Sequence, residues 1–121
     1  MTSYFFDTYA LIELAKGNPS YSPYAKSSII TSVVNLLEFH YHATRNFGFE
    51  PANRLLNELS RCVIAFTNED IIAMTRFRMS NKKKNFLFPD SLGYVISIRK
   101  SIKFLTGDEG FRSMPNVEFV K

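Results

Sequence analysis

Tryptophan is absent from this chain of 121 residues, and cysteine occurs once, at Cys62. A lone thiol cannot close an intramolecular disulfide, which excludes the small secreted disulfide scaffold and predicts a reducing, cytoplasmic setting. Cys62 itself reads as a small hydrophobe at the start of a strand. No apolar run reaches the roughly 20 residues that span a bilayer, and no secretory leader is expected, so no membrane partner is expected either. Glycine and proline number five each, too few for a low-complexity chain, and no repeat or linker divides the sequence. The sequence also lacks a phosphate-binding glycine loop, a Gly-x-Ser-x-Gly elbow and a Cys–His nucleophile pair, which excludes those enzyme classes.

What is present is a core and a charge pattern. Hydrophobic residues make up 45% of the chain, with 12 Phe and six Tyr, enough for one globular domain over residues 1–121. The net charge is +4 and the pI about 9.3. If four carboxylates are pooled in one site, the remainder carries 15 basic against seven acidic residues, a balance of +8. A negative pocket in a positive surface suits a polyanion cut with the help of metal ions.

The most informative stretch is Asn85 to Phe111, NFLFPDSLGYVISIRKSIKFLTGDEGF. Pro89, Asp90 and Ser91 suit a first helical turn, with Asp90 and Ser91 expected to satisfy its free amides. Leu92, Val95, Ile96 and Ile102 supply a helix-spaced apolar face. Gly93, Ser97 and Ser101 form a small-residue stripe that lets the helix lie close on a sheet. Lys103 to Thr106 reads as a short strand, ended by Gly107-Asp108. A helix between parallel strands starts at the strands' C-terminal edge, and the next strand returns the chain there. Asp90 and Asp108 are therefore expected to meet at one edge, where open α/β sheets bind ligands.

The rest of the chain repeats this logic. Ser3 to Phe6 is a strand ending at Asp7, and Thr8 is expected to cap a helix carrying Leu11, Ile12 and Leu14. Ser28 to Thr31 is a second strand, followed by a helix capped by Ser32 and running to about Asn46. Val33, Val34, Leu37 and Tyr41 mark its expected buried face. Glu38 lies about 9 Å along the axis from Ser32, and its side chain leans back toward the edge. His40 and His42 read as ordinary surface or supporting residues. Glu50-Pro51 starts a third helix with Leu55, Leu56 and Leu59 on one face, and Cys62 to Phe66 is expected to be a strand. Asn68-Glu69-Asp70 opens a fourth helix carrying Ile71, Ile72, Met74, Phe77 and Met79, and Asp70 reads as a helix-start acid. Asn81-Lys82-Lys83-Lys84-Asn85 is the one charge run. A solvated turn is the default there, and its position ahead of Asp90 makes phosphate contact by Lys82, Lys83 and Lys84 the functional reading. Val117 to Val120 closes the chain as an edge strand.

The expected fold is an α/β three-layer sandwich with a mostly parallel five-stranded sheet flanked by helices. Asp7, Glu38, Asp90 and Asp108 then converge at one edge. Four carboxylates without thiolates suit Mg²⁺ or Mn²⁺, hard cations that activate water for phosphodiester hydrolysis.

In order and spacing, FFDTYALIEL, NLLEF, FPDSLGYVIS and FLTGDEGF resemble the four acidic motifs of the PIN-domain ribonucleases. The small size is most similar to the VapC-like toxins of prokaryotic toxin–antitoxin pairs. The resemblance implies that Asp7, Glu38, Asp90 and Asp108 are metal-binding and catalytic, with Thr8 and Thr106 in support. It also implies Mg²⁺-dependent cleavage of single-stranded or looped RNA, a homodimer and a small antitoxin partner. Two departures stand out. The helix after Asp90 carries Tyr94, Val95, Ile96 and Ile98 where relatives are alanine-rich, and Glu109 directly follows Asp108, where it reads as a solvated turn residue. The alternatives are a housekeeping PIN nuclease of RNA maturation, a degenerate PIN module, and a receiver-type signalling domain. The last needs an acceptor Asp after the third strand, where Thr67-Asn68 stand, and paired acids after the first, where Thr8 follows Asp7.

Overall fold

Consecutive residues of a strand face opposite sides of a sheet, and here both sides are apolar. The computed structural model describes all 121 residues, Met1 to Lys121. Its strands are β1 (Ser3–Phe6), β2 (Ser28–Ile30), β3 (Lys103–Thr106) and β4 (Val117–Phe119). Phe6 and Leu105 face one core, with Leu11, Tyr21, Leu36 and Phe39. Phe5 and Phe104 face the other, with Phe86, Leu92, Ile96 and Phe111. A sheet apolar on both faces must be covered on both, which produces three layers.

Five helices do the covering: α1 (Thr8–Ala15), α2 (Val33–Phe47), α3 (Phe49–Leu59), α4 (Asn68–Ser80) and α5 (Phe88–Arg99). The first three pack on the Phe6 side and α5 on the Phe5 side, with α4 against α5. The small-residue stripe works as expected at Gly93, where a Cβ would fall 2.6 Å from the Phe5 ring and 3.1 Å from Phe104. Ser101 lies beyond the helix end, at φ +57°. No helix is long and apolar enough to cross a membrane.

The sheet has four strands, in the order β2-β1-β3-β4, and all neighbours are parallel. The expected fifth strand, Cys62 to Phe66, is reduced to a single bridge between Val63 and Thr31. The reason is that β2 stops at Ile30 and Ser32 already caps α2, which leaves Thr31 alone to pair. It does so through Thr31 N to Cys62 O at 3.0 Å and Ile64 N to Thr31 O at 2.9 Å. Cys62 itself closes a 3-10 turn at intermediate exposure, and burial pushes its thiol pKa up. β4 lies parallel to β3 although only residues 107–116 connect them, through a 3-10 turn at Glu109–Phe111. That crossover is tight: a Cβ on Gly107 would collide with the Tyr9 ring and lie 2.5 Å from Val120 O.

Two helices bury other faces than their spacing suggests. On α2, Val34 packs against the Phe5-side core as expected, but Val33, Leu37 and Tyr41 are 50%, 69% and 62% exposed, whereas Asn35, Leu36, Phe39 and Ala43 are buried. Of the α4 apolar residues, Met74 and Phe77 pack into the core, while Ile71, Ile72 and Met79 stay exposed. In both helices, two apolar stripes compete for one interior, and the sheet selects only one.

Candidate active site

Strand register decides which acids meet. Phe6 pairs with Leu105, so Asp7 and Thr106 follow at the same edge, and Asp7 N donates to Leu105 O at 3.3 Å. Asp7, rather than Thr8, is the N-cap of α1, and its Oδ1 accepts from Ala10 N at 2.8 Å. Its Oδ2 accepts a short hydrogen bond from the Thr106 hydroxyl. Thr106 Oγ1 in turn accepts from Asp108 N at 3.0 Å, and Asp108 Oδ1 accepts from Gly110 N at 3.1 Å. One buried hydroxyl thus ties the first acid to the turn that carries the last.

Glu38 reaches the edge from α2. Thr8 Oγ1 donates to Glu38 Oε1 at 2.7 Å, so the residue expected to cap α1 instead orients a carboxylate. Behind it stands Asn35, fully buried, whose Nδ2 donates to Thr8 Oγ1 at 3.2 Å. Ser32 Oγ donates to Asn35 Oδ1 at 2.7 Å, which fixes which end of the amide faces Thr8. With that donor on its oxygen, the Thr8 hydroxyl directs its proton to Glu38. Sequence reasoning missed Asn35. The available clue was its spacing, three residues from the Ser32 cap and three from Glu38 on one helix face.

Asp90 sits in the first turn of α5, whose N-cap, Leu87, makes no side-chain bond. The expected capping by Asp90 and Ser91 does not occur, because the Ser91 hydroxyl donates back to Leu87 O at 2.9 Å. Asp90 is left free to face the other acids.

The electrostatics show that these side chains feel one another. Burial pushes the Asp7 pKa up to about 8, with further upward pushes from Asp90 and Asp108 that its bonds to Thr106 and Ala10 only partly offset. Burial raises Asp90 to about 7, helped by Asp108 and Glu38. Carboxyls that hold protons near neutrality gain most from a nearby cation. An all-carboxylate donor set fits a hard divalent ion, although no three of these groups, as they stand, converge enough to ligate one directly. Mg²⁺ characteristically keeps several waters, so direct contact with all of them is not required.

A PIN domain model matches residues 4–117. The chain belongs to the PIN-domain family. No curated protein matches significantly. Among solved structures, this PIN domain is similar to Mycobacterium tuberculosis VapC20, described as a sarcin-ricin-loop-cleaving toxin. There the identity is 19%, the TM-score 0.76, and the match covers 98% of this chain and 99% of that one. It is also similar to VapBC2 of Rickettsia felis, solved on a promoter DNA fragment, at 18% identity and a TM-score of 0.74, covering 99% and 100%. A toxin–antitoxin complex from Klebsiella pneumoniae gives 18%, 0.74 and 95% of each chain. Identities this low establish the α/β fold with its parallel sheet.

Two acids outside that set of four, Asp70 and Glu109, are otherwise engaged in this PIN domain. Asp70 completes a capping box with Thr67 and is held by Arg99 at 2.7 and 2.8 Å, which keeps its carboxyl below the usual range despite burial. Glu109 is exposed and bonded to Arg112 and Lys121, which lowers its pKa to about 2, as befits a turn residue. His40 bonds Asn53 at 2.7 Å between α2 and α3, and His42 lines a hollow of about 230 Å³ beside Thr8. The lysine run forms an exposed 3-10 turn, Lys82–Lys84, and Lys84 Nζ reaches Gly110 O at 3.4 Å on the turn that holds Asp108.

Proposed function

We propose that this PIN domain is a Mg²⁺- or Mn²⁺-dependent endoribonuclease that hydrolyses RNA phosphodiester bonds with metal-activated water. We further propose that it acts as a VapC-like toxin restrained by a small antitoxin. The observation that carries the reading is the set Asp7, Glu38, Asp90 and Asp108, two of whose members are raised to near neutrality chiefly by burial, with smaller pushes from the neighbouring acids. A row of carboxylates repels a phosphodiester unless a cation stands between them. These four residues would hold that cation. The metal, when bound, supplies an acidified water and a counter-charge for the leaving oxygen. The chain's own part is orientation. Thr106 and Ala10 N hold Asp7, Thr8 holds Glu38, and Gly110 N holds Asp108. Lys82, Lys83 and Lys84 would meet the substrate's phosphates.

The toxin reading is supported by the solved relatives, several of which are toxin–antitoxin complexes. Exposed Val33, Leu37 and Tyr41 on α2 and Ile98 on α5 offer apolar surface for an antitoxin and for a second copy. The decisive experiment incubates the purified chain with single-stranded RNA and Mg²⁺ or Mn²⁺, with and without EDTA. Cleavage that requires metal supports the proposal, and cleavage that persists in EDTA overturns it.

A further inference from the structure

Between α1 and β2 the chain forms a 3-10 strap, Pro19–Lys26, with Pro19 in its first turn and Pro23 inside it. A 3-10 helix turns once in about three residues, so side chains at i and i+3 lie one above the other. Tyr21 and Tyr24 have that spacing, and their ring centroids are 6.1 Å apart. Both phenols donate to the last strand and the residue after it: Tyr24 to Glu118 Oε2 at 2.5 Å, and Tyr21 to Val120 O at 2.6 Å. β4 needs such anchors. It is a three-residue strand at the sheet edge, and all of it is only half-buried. Short, exposed elements of this kind open at low cost.

The two phenols lead to different places. Val120, held by Tyr21 at its carbonyl, donates its own N–H to Thr106 O at 2.9 Å. Thr106 is the residue whose hydroxyl bonds Asp7 and accepts from Asp108 N. Packing gives a second line to the same turn. The Tyr21 ring lies 6.4 Å from that of Tyr9, which rests on Gly107. Tyr21 is fully buried, and after burial itself the charge of Asp7 is the next cause that pushes its pKa up, which puts the phenol beside the acids. Tyr24 is half-buried, and its bond ends on the Glu118 side chain, which bonds nothing else.

We propose that Tyr21 is a positioning residue for the acidic edge: by anchoring Val120 it fixes Thr106 between Asp7 and Asp108, while Tyr24 on the same strap serves stability alone. The proposal rests on the reading of that edge as a metal site and adds a determinant outside the acids and their direct partners.

The test compares Tyr21→Phe with Tyr24→Phe, each of which removes one phenolic oxygen and keeps the ring. Mn²⁺ affinity is measured by calorimetry without RNA, beside thermal melts and metal-dependent RNA cleavage. Removing a direct partner of a metal ligand costs about 10- to 100-fold in affinity. Tyr21 stands two hydrogen bonds beyond such a partner, Thr106, so Tyr21→Phe is expected to lose roughly three- to tenfold. Tyr24→Phe should lose stability and bind Mn²⁺ as wild type does. The metal concentration for half-maximal cleavage should rise in Tyr21→Phe by the same factor, with KM for RNA unchanged. A folded Tyr21→Phe protein of wild-type affinity overturns the proposal. Equal losses in both variants also overturn it, since general loosening of the strap gives that result. Linkage supplies a measurement that needs no variant, because a metal favoured by the clasped strand must favour the clasp in return. Mg²⁺ should slow hydrogen exchange at Val120 N–H more than at Ile64 N–H, which bonds Thr31 O at the opposite edge of the sheet. Equal protection of Val120 with and without Mg²⁺ overturns the proposal as well. Wild-type protein that binds metal and cleaves no RNA overturns the nuclease reading and leaves Tyr21 in its role, whereas wild type that binds no metal overturns both.

Discussion

Replacing Asp90 with asparagine removes a charge while nearly preserving shape, and the sign of its effect on stability depends on pH. In the folded protein Asp90 ionises at about 7, against the ordinary 3.8, because it is part-buried and faces Asp108 and Glu38. A carboxyl raised in this way binds its proton more tightly in the folded state. The folded state is therefore favoured fully below the unfolded pKa, and that advantage is lost as pH rises through about 7. A shift of about three units corresponds to a ceiling near 4 kcal/mol, at about 1.4 kcal/mol per unit. Solvent reaches part of the group, and relaxation of its neighbours reduces the figure further, so about 2 kcal/mol is expected at pH 8. Asparagine cannot ionise and escapes this loss. It forfeits the favourable charge at a helix start, worth about 0.3–1 kcal/mol, which is too small to reverse the sign. Asp90→Asn should melt several degrees above wild type at pH 8 and within a degree or two at pH 4, since about 1 kcal/mol moves a domain of this size by roughly 3–5 °C. Mg²⁺ should raise the variant's melting temperature less than it raises wild type's, and cleavage should be abolished. Thermal melts across pH, with and without Mg²⁺, read all of this. A variant less stable than wild type at pH 8, or a difference independent of pH, would refute the electrostatic argument, and retained cleavage would remove Asp90 from the site.

Three further outcomes follow from named contacts. Gly107→Ala puts a Cβ into the Tyr9 ring and against Val120 O, so it should cost about 1–3 kcal/mol in denaturant unfolding and displace the Asp108 turn. Arg99→Ala strands the Asp70 carboxylate, which is 3% exposed, and should cost about 2–3 kcal/mol at pH 7. Because that carboxyl lies below its usual range when paired, the pair's contribution should be lost as pH falls through the acid range, so the gap between Arg99→Ala and wild type should narrow there. Asn35→Ala should release Thr8 from its donor and loosen Glu38, weakening Mg²⁺ affinity measured by calorimetry several-fold. Unchanged affinity in a folded Asn35→Ala protein would show that the Ser32–Asn35–Thr8 chain serves packing alone.

The alternation of short apolar strands with helices, and the acids that follow β1 and β3 at one edge, were legible from residue order. Strand ends such as Phe6-Asp7 and Thr106-Gly107-Asp108 are local facts: a burst of apolar residues must stop where a carboxylate and a glycine interrupt it. Parallel pairing then carries each such ending to the same side, so residue order alone names the Thr106–Asp108 turn as the neighbour of Asp7. Which apolar stripe of α2 turns inward was not local. Val33, Leu37 and Tyr41 and the stripe with Leu36 and Phe39 satisfy the same helical spacing, and only docking on Phe6 and Leu105 chooses between them. The fifth strand failed for a similar reason, since Cys62 to Phe66 has strand-like residues but meets a partner one residue long. The site's supports also needed the tertiary structure. Thr8 and Glu38 stand 30 positions apart, and Thr106 and Asp7 stand 99 apart. A hydroxyl's choice between capping its own helix and holding a distant carboxylate is an energetic competition settled by which acceptor the fold brings within about 3 Å. The sequence by itself determined which carboxylates close the strands, because apolar runs and their interruptions are properties of neighbouring residues. Only the packed chain decided how those carboxylates are held and how far their pKa values rise, because burial and proximity exist only once distant segments share one interior.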